Sequence, residues 1–386
     1  MIERDEVLAR QEVARAAADA AGYAAVLVIG RSFYDRPGDL AYLTNHFPPF
    51  PSTVFTDEQR GFGHGIFLLP VRGQPVLLTD PRKHRSDLVA VGDVRPAANL
   101  SAATVDLLRE RSLDSARVGM IGDDILPAAM DRDIRSALPS LDLVPDSTLL
   151  ADMRVIKSPA EQEALRRAAE AADAALTAAV DRIRRPGATE REICAAGIEA
   201  AMRNGADFVR YMRVHSGPWS SFGSRWPQAT ERALKLGDLV VLDAIGAVDG
   251  YGFDVNRSLS SGPTDAERLQ LLETVHEALL RAVDGCRAGK VVADVVDAAV
   301  DVIGRSPFAN AFSGMMGHGI GLETVELPLL TAGNGTELRA GMVLCVEPGL
   351  FVPNWGGALI EQEVIVRESG PPEVITTTPT RLWDIA

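Results

Sequence analysis

Four carboxylates and one imidazole in the second half of this chain are set in short phrases that otherwise read as buried strand or tight turn. They are Asp243 in VVLDAIG, Asp254 in YGFDVNRS, His318 in GHGIG, Glu347 in VEPG and Glu361 in LIEQEV. A fold that gathers four acids must hold them apart or place cations between them, because like charges removed from water repel strongly. Two divalent metals would cancel the formal charge. The pattern therefore predicts a carboxylate-bridged dimetal site.

Composition narrows the alternatives. A length of 386 residues allows two to three domains with full-sized cores. The net charge of −14 argues against a nucleic-acid partner, which would need a basic surface. No apolar run approaches the length of a membrane span. The N-terminal stretch MIERDEVLARQEVARAAADAAGY reads as an amphipathic surface helix and not as a signal peptide. Cys194, Cys286 and Cys345 are scattered and odd in number, so no disulfide framework is expected and a cytoplasmic setting is the default.

The first part of the chain reads as an α/β unit. Short apolar runs at Ala25–Ile29, Gly65–Leu69, Pro75–Leu78 and Val118–Ile121 have strand length and are bounded by turn formers. The Pro-rich stretch FPPFPSTVFTD, Phe47 to Asp57, reads as a lid, a subunit contact or an ordered connecting loop. A boundary is expected near Asp152–Pro159, giving domains at 1–152 and 153–386. Ser158-Pro159-Ala160-Glu161 carries the capping-box pattern with Pro at the first helical position, and the helix it opens should stop at Pro186-Gly187. Thr189 to Glu192 and Thr264 to Glu267 predict two further capping boxes. With strands between and after these helices, the second domain is predicted to be α+β.

Asp243 follows the apolar run Leu239–Leu242, and Asp249-Gly250 marks a hairpin turn before Asp254. The two aspartates should be near cross-strand neighbours. Around His318, glycines at 314, 317, 319 and 321 would let the backbone approach a ligand closely. A phosphate loop is the rival reading, but no Lys follows. Glu347 ends the run Val343–Val346, where a buried charge needs a partner. Glu361 and Glu363 fall on one face of a strand, and periodicity does not choose between them.

The order and spacing of these phrases resemble the pita-bread metallopeptidases, a family that includes prolidase, Xaa-Pro aminopeptidase, methionine aminopeptidase and creatinase. The eleven-residue step from Asp243 to Asp254, the GHGIG around His318 and the EPG at Glu347 carry the resemblance. RVIKSPAEQEALRRAA and LAYLTNHF extend it upstream, into a creatinase-like N-terminal α/β domain. The resemblance implies a pita-bread catalytic domain, and it selects Glu361 over Glu363 as the last ligand. It also implies that Asp243 chelates one metal and His318 the other, with Asp254 and Glu361 bridging. Glu347 would ligate and shuttle a proton. The donor set suits manganese, cobalt, iron or zinc. The implied chemistry is cleavage of a C–N amide bond, as in Xaa-Pro dipeptides, by a metal-bridging hydroxide. A homodimer is implied as well.

Three positions depart from the proline-peptidase pattern. Trp226 in SRWPQ and Val325 in ETVELP stand where those enzymes carry histidines, and Leu359 stands where they commonly carry Arg. Apolar side chains cannot replace those groups in binding substrate or stabilising a tetrahedral intermediate. The alternative is therefore a relative acting on a small non-peptide molecule, as creatinase, ectoine hydrolase or dimethylsulfoniopropionate lyase do. Trp219, Trp226 and Trp355 then read either as an aromatic wall for a cationic substrate or as packing residues. His215, beside Ser216-Gly217, is a candidate substrate-side acid or base, or an ordinary strand histidine.

Overall fold

The computed structural model describes residues 1–51, 54–82, 84–223, 225–312 and 314–383. Ser52 and Thr53 of the Pro-rich stretch and Ser224 of SRWPQ lie outside the described residues. The chain divides into two compact units, Met1–Arg154 and Val155–Ala386.

The first unit runs α1 (Arg4–Ala20), β1 (Ala25–Arg31), α2 (Gly38–Thr44), β2 (His64–Pro70), β3 (Val76–Thr79), β4 (Asp93–Pro96), α3 (Leu100–Glu110), β5 (Arg117–Ile121), α4 (Ala128–Ala137) and β6 (Asp142–Pro145). Its mixed sheet has the order β4-β3-β2-β1-β5-β6. Alternate residues of the central strands, Ala25, Leu27, Ile29, Ile66 and Leu68, pack against Leu108 of α3 and Met130 and Ile134 of α4. The helices α1 and α2 contact β1 as well, which explains why its residues from Ala25 to Gly30 are all buried and why it reads as a continuous apolar run. The edge strands β4 and β6 are only four residues long and mostly unburied, too short for an apolar pattern to mark them.

After α5 (Ala151–Val155), the second unit begins with α6 (Pro159–Ile183) and α7 (Glu190–Arg203). Both carry complete capping boxes, Ser158 with Glu161 and Thr189 with Glu192. A three-stranded antiparallel sheet follows: β7 (Phe208–Ser216), β8 (Leu239–Val248) and β9 (Tyr251–Ser260). Next come α8 (Ala266–Gly285) and α9 (Val292–Gly304). The cap of α8 is Asp265, which accepts from Arg268 N, whereas Thr264 donates its hydroxyl to Gly237 O. The box predicted at Thr264 is thus displaced by one residue, with the Thr264 hydroxyl engaged outside the helix and the Asp265 carboxylate at its first turn.

The remaining strands are β10 (Met315–Gly319), β11 (Glu326–Thr331), β12 (Val343–Val346), β13 (Gly349–Val352), β14 (Gly356–Leu359), β15 (Gln362–Ile365) and β16 (Glu373–Val374). Five of them form a sheet in the order β11-β10-β12-β15-β16. The pairings β12–β15 and β13–β14 keep one register, from Val343↔Ile365 through Val346↔Gln362 to Gly349↔Leu359 and Val352↔Gly356. They are two stretches of one long hairpin, interrupted between Val346 and Gly349.

Each sheet of this unit is backed by its own helix pair. Val240, Leu242, Ala244, Phe253 and Val255 pack against α6 and α7. Leu344, Val346, Ile360 and Val364 pack against α8 and α9. Strand alternation turns the intervening residues to the opposite faces, and those residues include the acids. Among the described residues no helix is long and apolar enough to cross a membrane.

Candidate metal centre

Asp249 and Gly250 make a two-residue turn with φ of 52° and 79°, so Val248 pairs with Tyr251 and the register of β8–β9 is fixed. Asp243 lies opposite Asn256, and Asp254 lies opposite Ile245. The aspartates are diagonal neighbours offset by two positions, and they share the face that α6 and α7 do not cover. Arg213 and His215 on β7 pair with Asp243 and Val241 and share that face too.

On the other sheet, His318 pairs with Cys345, and Cys345 pairs with Glu363. Continuing the hairpin register by one step sets Glu347 opposite Glu361, in the interruption between its two stretches. The alternation that should put Met316 and His318 on one face is broken at Gly317, with φ 138°, where the pairing of β10 is irregular. Met316 enters the core with α8 and α9, while His318 meets Glu347 and Asp254.

The glycines have a different task from the one expected. A Cβ on Gly317 would lie 2.0 Å from Cys345 O, and one on Gly319 would lie 2.3 Å from Leu327 O. They admit the backbones of the neighbouring strands, not a ligand.

The polar groups are nearly all buried: Asp243, Asp254, His318, Glu361 and Glu363 have relative exposures of 5% or less. His318 Nδ1 lies 2.9 Å from Gly319 O, which makes Nδ1 the donor there and turns Nε2 toward the acids. Nε2 is 3.3 Å from Glu347 Oε1 and 3.8 Å from Asp254 Oδ2. Asn256 Nδ2 donates to Glu361 Oε2 at 2.7 Å. Glu363 Oε1 accepts from Asp254 N at 2.9 Å and so helps hold β9, while its Oε2 is buried with no hydrogen-bond partner among the described residues. Asp243 Oδ1 and Glu361 Oε1 are buried with no hydrogen-bond partner.

Electrostatics show the stress of this crowding. Burial pushes the Asp243 carboxyl up to about 6 against the opposing effect of Arg213, with Glu347 adding to the rise. Burial, then the negative charge of Glu361, Asp243 and Glu347, drives Asp254 well above the usual carboxylate range. Glu361 is driven up by burial and by Glu347. Burial would lower His318, but its hydrogen bond to Glu347 and that residue's charge bring it above its ordinary value. Among the described residues no group of three or more His, Cys, Asp or Glu side chains is closed to metal-ligand geometry. The donor set nevertheless fits divalent cations: four acids, one imidazole nitrogen, and buried carboxylate oxygens without a hydrogen-bond partner among the described residues.

His215 is 1% exposed; its Nδ1 lies 3.0 Å from Phe222 O and its Nε2 has no partner. Burial lowers its pKa to about 4, so it is neutral at physiological pH. The tryptophans are placed differently from an aromatic wall. Trp226 is 92% exposed. Arg225 already lies over the Trp219 ring at 5.3 Å, and Arg268 over Trp355 at 4.8 Å. Trp355 also stacks on Phe308 and packs against the α8–α9 core. The cation partners of Trp219 and Trp355 are therefore the chain's own arginines, and the reading of these two as a wall for a cationic substrate is corrected. Val325 is exposed, and Leu359 borders the interruption of the hairpin. Sequence reasoning passed over Arg213, whose Nε is 2.9 Å from Asp243 Oδ2; a lone Arg in a strand carries no motif.

Two strand faces, each backed by helices, that turn buried acids and an imidazole outward define a protein of the pita-bread class. The model of metallopeptidase family M24 matches residues 163–368, and the chain belongs to that family. It is 33% identical over 380 residues to a probable dipeptidase PepE of Mycobacterium tuberculosis, covering 96% of this chain and 94% of that protein. It is 32% identical over 232 residues to an Xaa-Pro dipeptidase of Pyrococcus furiosus, a match that spans 59% of this chain and 65% of that relative. Among solved structures, an Xaa-Pro dipeptidase from Bacillus anthracis superposes with a TM-score of 0.82 at 28% identity, covering 98% of this chain and 99% of that one.

Proposed function

We propose that the chain is a two-metal hydrolase of the Xaa-Pro dipeptidase type, cleaving the C–N bond of a short peptide. The observation that carries this reading is the pair of buried, unpartnered oxygens, Asp243 Oδ1 and Glu361 Oε1, among four acids and His318. Asp243 would hold one ion and His318 Nε2 the other, with Asp254 and Glu361 between them and Glu347 completing the set. Two divalent ions bound there, drawn from manganese, cobalt, iron or zinc, supply an activated water and a polarised carbonyl. Glu347 takes the proton of the attacking water and delivers it to the leaving nitrogen. His215 Nε2, neutral and unpartnered, accepts an N–H or a proton from the substrate side. The working form would be a cytoplasmic homodimer, which sedimentation can check.

A second reading is supported by Trp226, Val325 and Leu359, which replace polar groups of the proline peptidases: the substrate is a small molecule of the creatine, ectoine or dimethylsulfoniopropionate kind. The discriminating experiment incubates metal-loaded protein with Xaa-Pro dipeptides, longer Xaa-Pro peptides and those three compounds, followed by mass spectrometry. Proline-peptide turnover that vanishes in Asp254→Ala supports the first reading. Turnover of the small molecules alone moves the protein to the second. A gently purified protein that is metal-free and takes up neither manganese nor cobalt defeats both.

A further inference from the structure

Arg213 stands between solvent and the acids. Its partner across β7–β8 is Asp243, and the next residue in the same row, on β9, is Asn256. Three contacts hold its guanidinium: Nε lies 2.9 Å from Asp243 Oδ2, Nη1 donates to Gly223 O at 3.0 Å, and the group sits 4.8 Å from the centre of the Tyr211 ring. Among the described residues Nη1 makes the guanidinium's one hydrogen bond, and Nε, although close to Asp243, is buried without one, while the side chain is only 16% exposed. Tyr211, by contrast, is 43% exposed, so the aromatic support opens to solvent. A fixed, largely desolvated guanidinium with an uncommitted N–H edge is a built receptor for a planar anion.

The substrate candidates share one group that fits it. A dipeptide ends in a carboxylate, and creatine, ectoine and dimethylsulfoniopropionate each carry one. We propose that Arg213 binds the substrate carboxylate, orienting the scissile group toward the Asp243 side of the centre. This rests on the dimetal reading of the site but not on the choice of substrate.

The test uses full-length protein loaded with manganese and checked for metal content, as wild type, Arg213→Gln and Arg213→Lys. In one arm, kcat/KM is measured for an Xaa-Pro dipeptide and for its C-terminal amide. The expected result is a wild-type preference for the acid that narrows by ten- to a hundredfold in Arg213→Gln, mainly through KM, with partial recovery in Arg213→Lys. In the second arm, calorimetric titration with L-proline, creatine, ectoine and dimethylsulfoniopropionate reads carboxylate binding for each compound that mass spectrometry finds unchanged after the titration. Binding of any of these, weakened at least tenfold by Arg213→Gln at unchanged metal content, supports the proposal even if no peptide is cleaved. Equal losses for acid and amide, or no carboxylate preference in either arm, overturn it. Loss of metal in Arg213→Gln would instead assign the arginine to holding Asp243, and this too overturns it.

Discussion

Glu347 and Glu361 stand opposite one another at the first of two unpaired steps in a hairpin that otherwise keeps a single register from Val343↔Ile365 to Val352↔Gly356. Two opposed carboxylates are an unfavourable cross-strand pair on their own. Their placement becomes intelligible when a cation lies between them and the diagonal aspartates of the facing sheet.

Metal binding should therefore be visible as stability. Free manganese or cobalt at a hundredfold excess over Kd stabilises the folded state by about 2.7 kcal/mol for one site. For a unit of this size that is a rise of roughly 5–10 °C in Tm. Differential scanning calorimetry of stripped and reloaded protein measures it. Asp254→Asn and Glu361→Gln should lose both the shift and the bound metal, the latter read by elemental analysis.

The strand-to-strand closeness at Gly317 predicts a folding defect separate from chemistry. Gly317→Ala places a methyl group 2.0 Å from Cys345 O, in a backbone that cannot yield without parting β10 from β12. A loss of about 3 kcal/mol or more is expected, since overpacking against backbone lies at the costly end of its range. Urea denaturation reads the change, and a variant as stable as wild type would mean the strands part easily.

Acid should weaken the first unit through His46. Burial, with the nearby His84 adding, lowers its pKa from 6.5 to about 4, while Asp80 opposes. The unfolded chain thus takes up the proton first as pH falls. Stability from this group is complete above pH 6.5 and is lost as pH drops through 4. The loss amounts to about 3 kcal/mol at most. The stability difference between wild type and His46→Asn, measured from pH 7.5 to pH 4, should shrink by that order, and a difference that is flat with pH would refute it.

The departures from the proline-peptidase pattern can be reversed. Trp226→His and Val325→His together should raise any weak Xaa-Pro turnover by at least about tenfold, given that one oxyanion donor is typically worth a hundredfold or more. Trp226 is almost fully exposed, so its replacement should not disturb packing. Unchanged kcat/KM would show that the absent histidines are not what limits the reaction.

Much of this was legible before any coordinates. The helices α6 and α7 announce themselves through Ser158–Glu161 and Thr189–Glu192, because a cap is a local contract between a side chain and the next turn. Asp243 and Asp254 could be placed on one hairpin because a two-residue turn sets register. Other features were hidden because they depend on partners distant in sequence. Gly317 needs its φ to turn His318 away from Met316, and the reason lies in Cys345. Glu363 looks equivalent to Glu361 along the strand, and only the N–H of Asp254 distinguishes it. Arg213 acquires meaning solely from the residue across the ladder. The edge strands β4 and β6 escape because each has only four residues, mostly unburied.

The hairpin carrying the two aspartates also limits how this gene can drift. A residue gained at Asp249-Gly250 lengthens the loop and lets the arms keep their pairing, whereas a two-residue turn has none to lose. A single residue gained or lost within an arm, between Asp243 and Val248 or between Tyr251 and Asp254, turns one aspartate toward α6 and α7 and brings a residue such as Phe253 or Val255 to the metal side. Length is thus free to grow at the tip and counted in twos along the arms.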